Sequence, residues 1–313
     1  MKSRSLQSKL FFAYISLACL ILFSFAVFFY AFVSRQLKQS QISAMNTLNS
    51  SFQTQVDSAI RNLDAVSVNI NYSNQSKTIL DNSFNLNISS NMLSAMSDLF
   101  ISLSGTELKA DQVNLYDFSG YVLEAGISTI VKKTDGSKDE WIEVARELEG
   151  KKVLTPPYCT REYTKTATYD QWFISLYRSF NNQYKRGVGV IETAKQCKSV
   201  FKSIITYKKK NHEDAASIYV FDSNGDLIYP YDISQEYKAA LQPYYELTKG
   251  DDSALTFISP LTGKTEYAAE AVSSYTGYTY LTIQPESVVL APVYNLLRIL
   301  AAIVALFLTV SIF

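Results

Sequence analysis

The sequence predicts an α+β protein: a long N-terminal transmembrane and stalk helix, two successive lobes built on antiparallel sheets, then a second transmembrane helix. Three observations carry this. Leu10 to Val33 is an apolar run of 24 residues without a charge, and a helix needs about 20 to cross the hydrocarbon core. Residues 34–82 contain neither Gly nor Pro and place apolar residues at steps of three and four, the spacing of one helix face. A hairpin–helix–hairpin pattern then occurs twice, its copies starting about 100 residues apart, which describes two successive lobes.

Residues 1–9 carry Lys2, Arg4 and Lys9, so the positive-inside rule keeps them in the cytoplasm and sends the chain beyond the span outward. The run is too long for the core of a cleaved signal peptide, and it continues through Phe28, Phe29, Tyr30 and Phe32, where cleavage wants small residues. Residues 10–33 are therefore expected to stay as an anchor.

Over 34–82 the apolar positions are Leu37, Met45, Leu48, Phe52, Val56, Ile60, Leu63, Val66 and Ile70. Such a face packs along its own domain, against a second copy, or both. The sharper expectation is a homodimer packed along Met45, Phe52, Val56 and Leu63. A second helix is expected over Ser90 to Leu103, with Gly105 suited to its end.

The period then changes to two. Val113 to Leu123 reads as two short strands around a turn, and Ile218 to Ile228 repeats it with Asp and Gly at the same offsets. Gly supplies the positive φ such turns need, and Asp bonds its own backbone two residues on. Trp172 to Phe180 and Gly187 to Thr193 form a longer hairpin, answered by Tyr267 to Ser273 and Tyr278 to Gln284. Between them lie helical segments at Glu140 to Leu148 and at Gln235 to Leu247, the latter interrupted by Pro243. The distal lobe is expected over 83–194 and the proximal lobe over 195–287. Ile299 to Phe313 is again uncharged, but its 15 residues make only about 22 Å of helix against a core of about 30 Å. Residues 288–313 are thus expected to begin a second span that is cut part-way, leaving roughly 34–290 outside the membrane.

Together these hairpins resemble the PAS-like lobes of the double-Cache sensor region. Gly187-Val188-Gly189-Val190-Ile191-Glu192-Thr193, followed by the helix carrying Phe201, is similar to the sensor half of YesM-type membrane histidine kinases. The resemblance covers nearly the whole chain. It implies a small-molecule ligand, a sugar or another small polar solute, and a cytoplasmic kinase, absent from this chain, that addresses a response regulator. It also implies a pocket in the distal lobe, between the sheet and the segments joining the helix to the later strands. Those parts carry Trp141, Tyr158, Arg161, Tyr163, Trp172, Tyr177 and Glu192. Trp172 and Glu192, on neighbouring strands of one hairpin, are expected to face one cavity. In amino-acid-binding members an Arg two residues before a Trp-Tyr pair grips the carboxylate; here Asp139 stands at that place and Ile142 replaces the Tyr.

Other classes find less in the residues. Basic and acidic residues balance at 29 each, so no nucleic-acid partner is expected. The single histidine, His212, lies in a charged loop without a nucleophile elbow near it. No glycine-rich phosphate loop, Cys/His zinc cluster or cofactor motif is present. Asp222 to Asp226 opens like a calcium loop, but Ile233 stands where a bidentate Glu belongs, so a β-turn is expected. Cys159 and Cys197 both fall outside the membrane, where a disulfide is chemically open to them. A chemotaxis receptor, a nucleotide cyclase, and a self-contained surface binding protein or enzyme remain the alternatives to a kinase sensor.

Overall fold

The computed structural model describes residues 6–81, 90–105, 108–161, 171–181, 187–211, 216–249 and 254–312. It is mixed α+β, a long apolar N-terminal helix followed by antiparallel sheets. His212 and Tyr163 lie outside the described residues. Contacts divide the chain into two units. One comprises residues up to 48, 250–270 and 282 onward; the other comprises 49–249 and 271–281.

Helix α1 (Leu6–Tyr72) runs for 67 residues, about 100 Å at 1.5 Å per residue. It ends ten residues before the expected stop at Asn82. At the break, the Ser73 hydroxyl accepts from the backbone N–H of Ser76, 3.4 Å away, and caps α2 (Asn74–Asp81). Serine side chains compete with the helix for backbone donors, and this one opens a new helix instead. Along the first half of α1, Leu20, Phe23, Phe28 and Phe32 are each more than three-fifths exposed, an apolar surface too large to face water.

The second half of α1 corrects the four residues expected at a homodimer seam. Met45, Phe52, Val56 and Leu63 are all buried within their own chain. Met45 packs with Tyr267, Ala269, Val289, Leu290 and Val293, and Phe52 meets Tyr207 edge-on at 5.7 Å. Those four side chains are taken up by packing within the protomer.

In the larger unit, α3 (Ser90–Ser104) precedes β1 (Gln112–Asp117), β2 (Tyr121–Gly126) and β3 (Ile130–Lys133). Helix α4 (Asp139–Glu147) comes next, then β4 (Val153–Leu154), β5 (Tyr158–Thr160), β6 (Gln171–Asn181) and β7 (Gly187–Gln196). These strands form one antiparallel sheet in the order β3-β2-β1-β7-β6-β4, with β5 also paired to β6. The chain continues through α5 (Cys197–Val200), α6 (Lys202–Asn211), β8 (Ser217–Phe221), β9 (Leu227–Tyr229) and α7 (Gln235–Leu247). Pro243 does not interrupt α7: Leu241 and Tyr244 on either side are buried, and Tyr244 stacks on Tyr219 at 5.6 Å. Packing outweighs the hydrogen bond a proline removes.

The two short hairpins close by the same device. Asp117 Oδ1 accepts from the N–H groups of Ser119 and Tyr121, and Asp222 Oδ1 from those of Asn224 and Asp226, all between 2.8 and 3.0 Å. Gly120 and Gly225 take the positive φ, +86° and +91°. The Asp222 carboxylate thus serves a turn.

The chain ends with β10 (Ala254–Ile258), β11 (Thr265–Val272), β12 (Thr279–Pro285), α8 (Glu286–Val289) and α9 (Ala291–Ile312). The second sheet has the order β10-β11-β12-β8-β9. Pro292 falls in the first turn of α9, where its missing N–H is not needed. With 22 residues, α9 is about 33 Å long, half as long again as its uncharged stretch. No disulfide joins Cys159 and Cys197, the first exposed and the second buried.

Within the larger unit, three elements meet on one side of the first sheet. Asp64 of α1 receives Arg178 of β6, with Lys152 at 3.7 Å and the Tyr275 hydroxyl at 2.6 Å. The Arg178 Nε donates to Ser67 at 3.1 Å. Tyr275 belongs to the turn after β11. That turn also bonds Asp57 through Ser273 (2.8 and 2.9 Å) and Thr276 (3.2 Å).

Candidate functional site

The opposite side of the first sheet carries the candidate site. Side chains alternate across a strand, so the register decides which residues share a face. Tyr177 pairs with Glu192, Ser175 with Ala194, Asn114 with Glu192 and Tyr116 with Val190. Phe173, Ser175 and Tyr177 of β6, Asn114 and Tyr116 of β1, and Glu192 of β7 therefore point the same way. Tyr158 of β5 pairs with Phe173 and joins them.

Glu192 is completely buried. Its Oε2 accepts from Asn114 at 2.7 Å and the Tyr116 hydroxyl at 2.6 Å; Oε1 accepts from Ser175 at 2.6 Å and the Tyr158 hydroxyl at 3.1 Å. The Lys138 ammonium reaches both oxygens, at 3.2 and 3.4 Å. Asn114 in turn accepts from Gln112, whose amide also donates to the Ser128 carbonyl. Burial alone would push the Glu192 carboxyl up. The Lys138 charge and the bonds from Ser175, Tyr116 and Asn114 outweigh it and hold the group at about 2. Tyr116 and Tyr177 are pushed well above the ordinary tyrosine value, by burial first and the Glu192 charge second. Their hydroxyls stay protonated, so Tyr116 remains a donor. Glu192 is an ionised carboxylate, buried and hydrogen-bonded at both oxygens.

In front of this network lies a cavity of about 350 Å³ lined by Ser137, Lys138, Trp141, Thr155, Tyr158, Cys159, Thr160 and Tyr177. Aromatic walls with a few polar groups suit a small solute. Lys138 stands just before α4 and Trp141 in its first turn, three residues apart and hence on one side of the helix. A cleft of about 20 Å³ beyond Lys138 is bounded by Tyr116, Glu124, Lys132 and Asp135.

The structure thus brings Trp141, Tyr158 and Tyr177 to the cavity wall and sets Glu192 one layer behind it. Arg161 is exposed and does not line the cavity. Trp172 corrects the expectation of a cavity shared with Glu192. It lies five residues from Tyr177, an odd number, and so on the other face of β6, where its ring packs on Tyr231 at 5.8 Å. Lys138, Thr155, Ser175, Asn114 and Tyr116 were missed. For the last three a signal existed: polar residues at every second position of strands buried on both faces. Among the described residues no group of three His, Cys, Asp or Glu side chains is placed to hold a metal.

No family model and no curated protein matches the chain. Solved structures do. The sensory domain of the Campylobacter jejuni chemoreceptor Tlp3 with isoleucine bound is 14% identical, covers 82% of this chain and 98% of its own, and superposes with a TM-score of 0.55. The ligand-binding domain of Mlp24 with asparagine is 15% identical over 84% of this chain and 98% of that one, TM-score 0.52. The ligand-binding domain of the Pseudomonas aeruginosa amino-acid chemoreceptor PctC with GABA is 10% identical over 79% and 97%, TM-score 0.52. The likeness is one of fold, and the fold is the Cache type of chemoreceptor sensory domains. It gives no support to the histidine-kinase subtype.

Proposed function

We propose that this chain is the ligand-sensing and membrane-spanning part of a receptor. Residues 10–33 anchor it, 34–290 lie outside the membrane, and α9 carries the second crossing. The distal lobe, 83–194, takes the solute, and the proximal lobe, 195–287, passes the change toward the membrane. The single observation behind the reading is the aromatic cavity set over a buried ionised carboxylate, in a fold otherwise seen in chemoreceptor sensory domains. Among the solved structures, sensory and ligand-binding domains are described with isoleucine, asparagine and GABA. Each of these solutes carries an ammonium and a carboxylate, and the cavity offers Glu192 and Lys138 within one layer of each other. A small amino acid is therefore the ligand class we favour. A sugar has no support beside it. A chemoreceptor output is favoured over a histidine kinase on the same grounds.

The test is thermal melting of the full chain in detergent micelles against a panel of amino acids, small amines, sugars and organic acids. An amino acid should raise the melting temperature saturably. Tyr158→Phe, which removes hydrogen bonds to Ser175 and Glu192, should weaken that binding about tenfold. A panel with no binder, or binding indifferent to both Tyr158→Phe and Trp141→Ala, would sink the reading.

A further inference from the structure

The side chains seen to bond Glu192 among the described residues are not equivalent. Asn114, Tyr116, Ser175 and Tyr158 are carried by strands, and the first three bonds are 2.6–2.7 Å. Their positions are set by the backbone ladder. Lys138 makes the longest bonds, 3.2 and 3.4 Å, from a flexible stem outside the sheet, and its side chain keeps 14% of its surface. It also lines the cavity, whereas Glu192 does not. A solute entering from the cavity therefore meets the Lys138 ammonium and not the carboxylate behind it.

A neutral or anionic solute that moved Lys138 aside would leave a buried charge without its counter-ion, a costly state. A cationic group can replace it charge for charge and bond the same two oxygens. We propose that Lys138 is an internal stand-in for the ligand: the solute's ammonium expels the Lys138 ammonium from Glu192 and takes its place. This rests on the reading of the distal lobe as a solute site, and it makes Lys138 a specificity-determining residue. The pocket rejects any solute unable to carry a positive charge to Glu192. The released Lys138, held near the cavity by its backbone, then meets the carboxylate end of a zwitterion.

The test is chemical rescue on the full chain in micelles. Lys138→Ala should melt below the unaltered protein, and butylammonium should restore most of the loss saturably, while butanol and butyrate do not. The unaltered protein should bind butylammonium about tenfold more weakly than Lys138→Ala, because it must expel its own lysine. If Lys138→Ala does not fold, Lys138→Met keeps the stem and methylammonium becomes the probe, with methanol and formate as controls. Butylammonium acting no better than butanol would overturn the proposal. So would butyrate stabilising the unaltered protein, since Lys138 would then grip an anion without a cation taking its place on Glu192. The two readings fail separately. A sugar that binds and quenches Trp141 would keep the solute site and sink the exchange. Rescue of Lys138→Ala with no solute binding the unaltered protein would keep the exchange and sink sensing.

Discussion

At the scale of the residue, Glu192 links stability to acidity. Its folded value of about 2 lies below the 4.5 of a free glutamate. A depressed carboxyl contributes stability that is complete above the unfolded value and lost as pH falls through the folded one. The window is thus pH 4.5 to 2, and the groups facing Glu192 there are Lys138, Tyr116, Tyr158 and Tyr177. Glu192→Gln should flatten the fall in melting temperature across that window. At neutral pH it should cost about 3 kcal/mol, because Lys138 loses its counter-ion. Parallel pH–melting curves for the two proteins would show the carboxylate is not the acid-sensitive group. This residue was legible in the sequence only as a candidate, and Trp172 beside it was misplaced. Neighbours on both sides of β6 are buried, so Trp172-Phe173-Ile174-Ser175-Leu176-Tyr177 shows no alternation of apolar and polar positions. Only the pairing of Tyr177 with Glu192 assigns the faces, and register is not written in either strand alone. Lys138 was hidden for another reason. In Ser137-Lys138-Asp139-Glu140 it reads as one more solvated charge at a helix start.

At the scale of the element, the repeated Asp–Gly hairpins, α4, α7 and both long hairpins were readable, because each has a period or a turn residue with one structural use. The short strands β3, β4, β5 and β10 were not. None exceeds five residues, too few to establish a period. The turn at Gly225 gives a direct check. A Cβ there would lie 2.4 Å from the Tyr245 ring, and the positive φ disfavours any side chain. Gly225→Ala should destabilise by more than about 2 kcal/mol, whereas Gly263→Ala, with open space around it, should cost only the strain of its φ. The Asp64 junction gives a second check. Lys152 and Arg61 lie over the Tyr275 ring at 3.2 and 3.8 Å, and Arg178 and Tyr275 share Asp64. Burial, partly offset by the Asp64 charge, lowers the Lys152 value. Arg178→Gln and Tyr275→Phe should be non-additive by more than about 0.5 kcal/mol in unfolding measurements. Additive losses would mean the pocket strand and the turn after β11 touch α1 independently.

At the scale of the whole molecule, α1 is the element that both units share. No glycine or proline interrupts it between the apolar run and Asp64. Its buried face belongs to the protomer. Met45→Ala and Leu63→Ala should each cost about 2–5 kcal/mol, with losses independent of protein concentration. A melting temperature that rises with concentration in either variant would restore the dimer seam that their burial removes.

Trp141 and Trp172 are the two tryptophans of the chain, and the sheet stands between them. One indole forms part of the cavity wall and the other leans on Tyr231 across β6. The protein therefore carries two optical gauges on opposite sides of the same strand. Trp172→Phe leaves a fluorophore that registers occupancy, and Trp141→Phe leaves one blind to the cavity unless the strand itself shifts. Comparing their emission during one titration separates arrival of a solute from the movement it causes, without a single attached label.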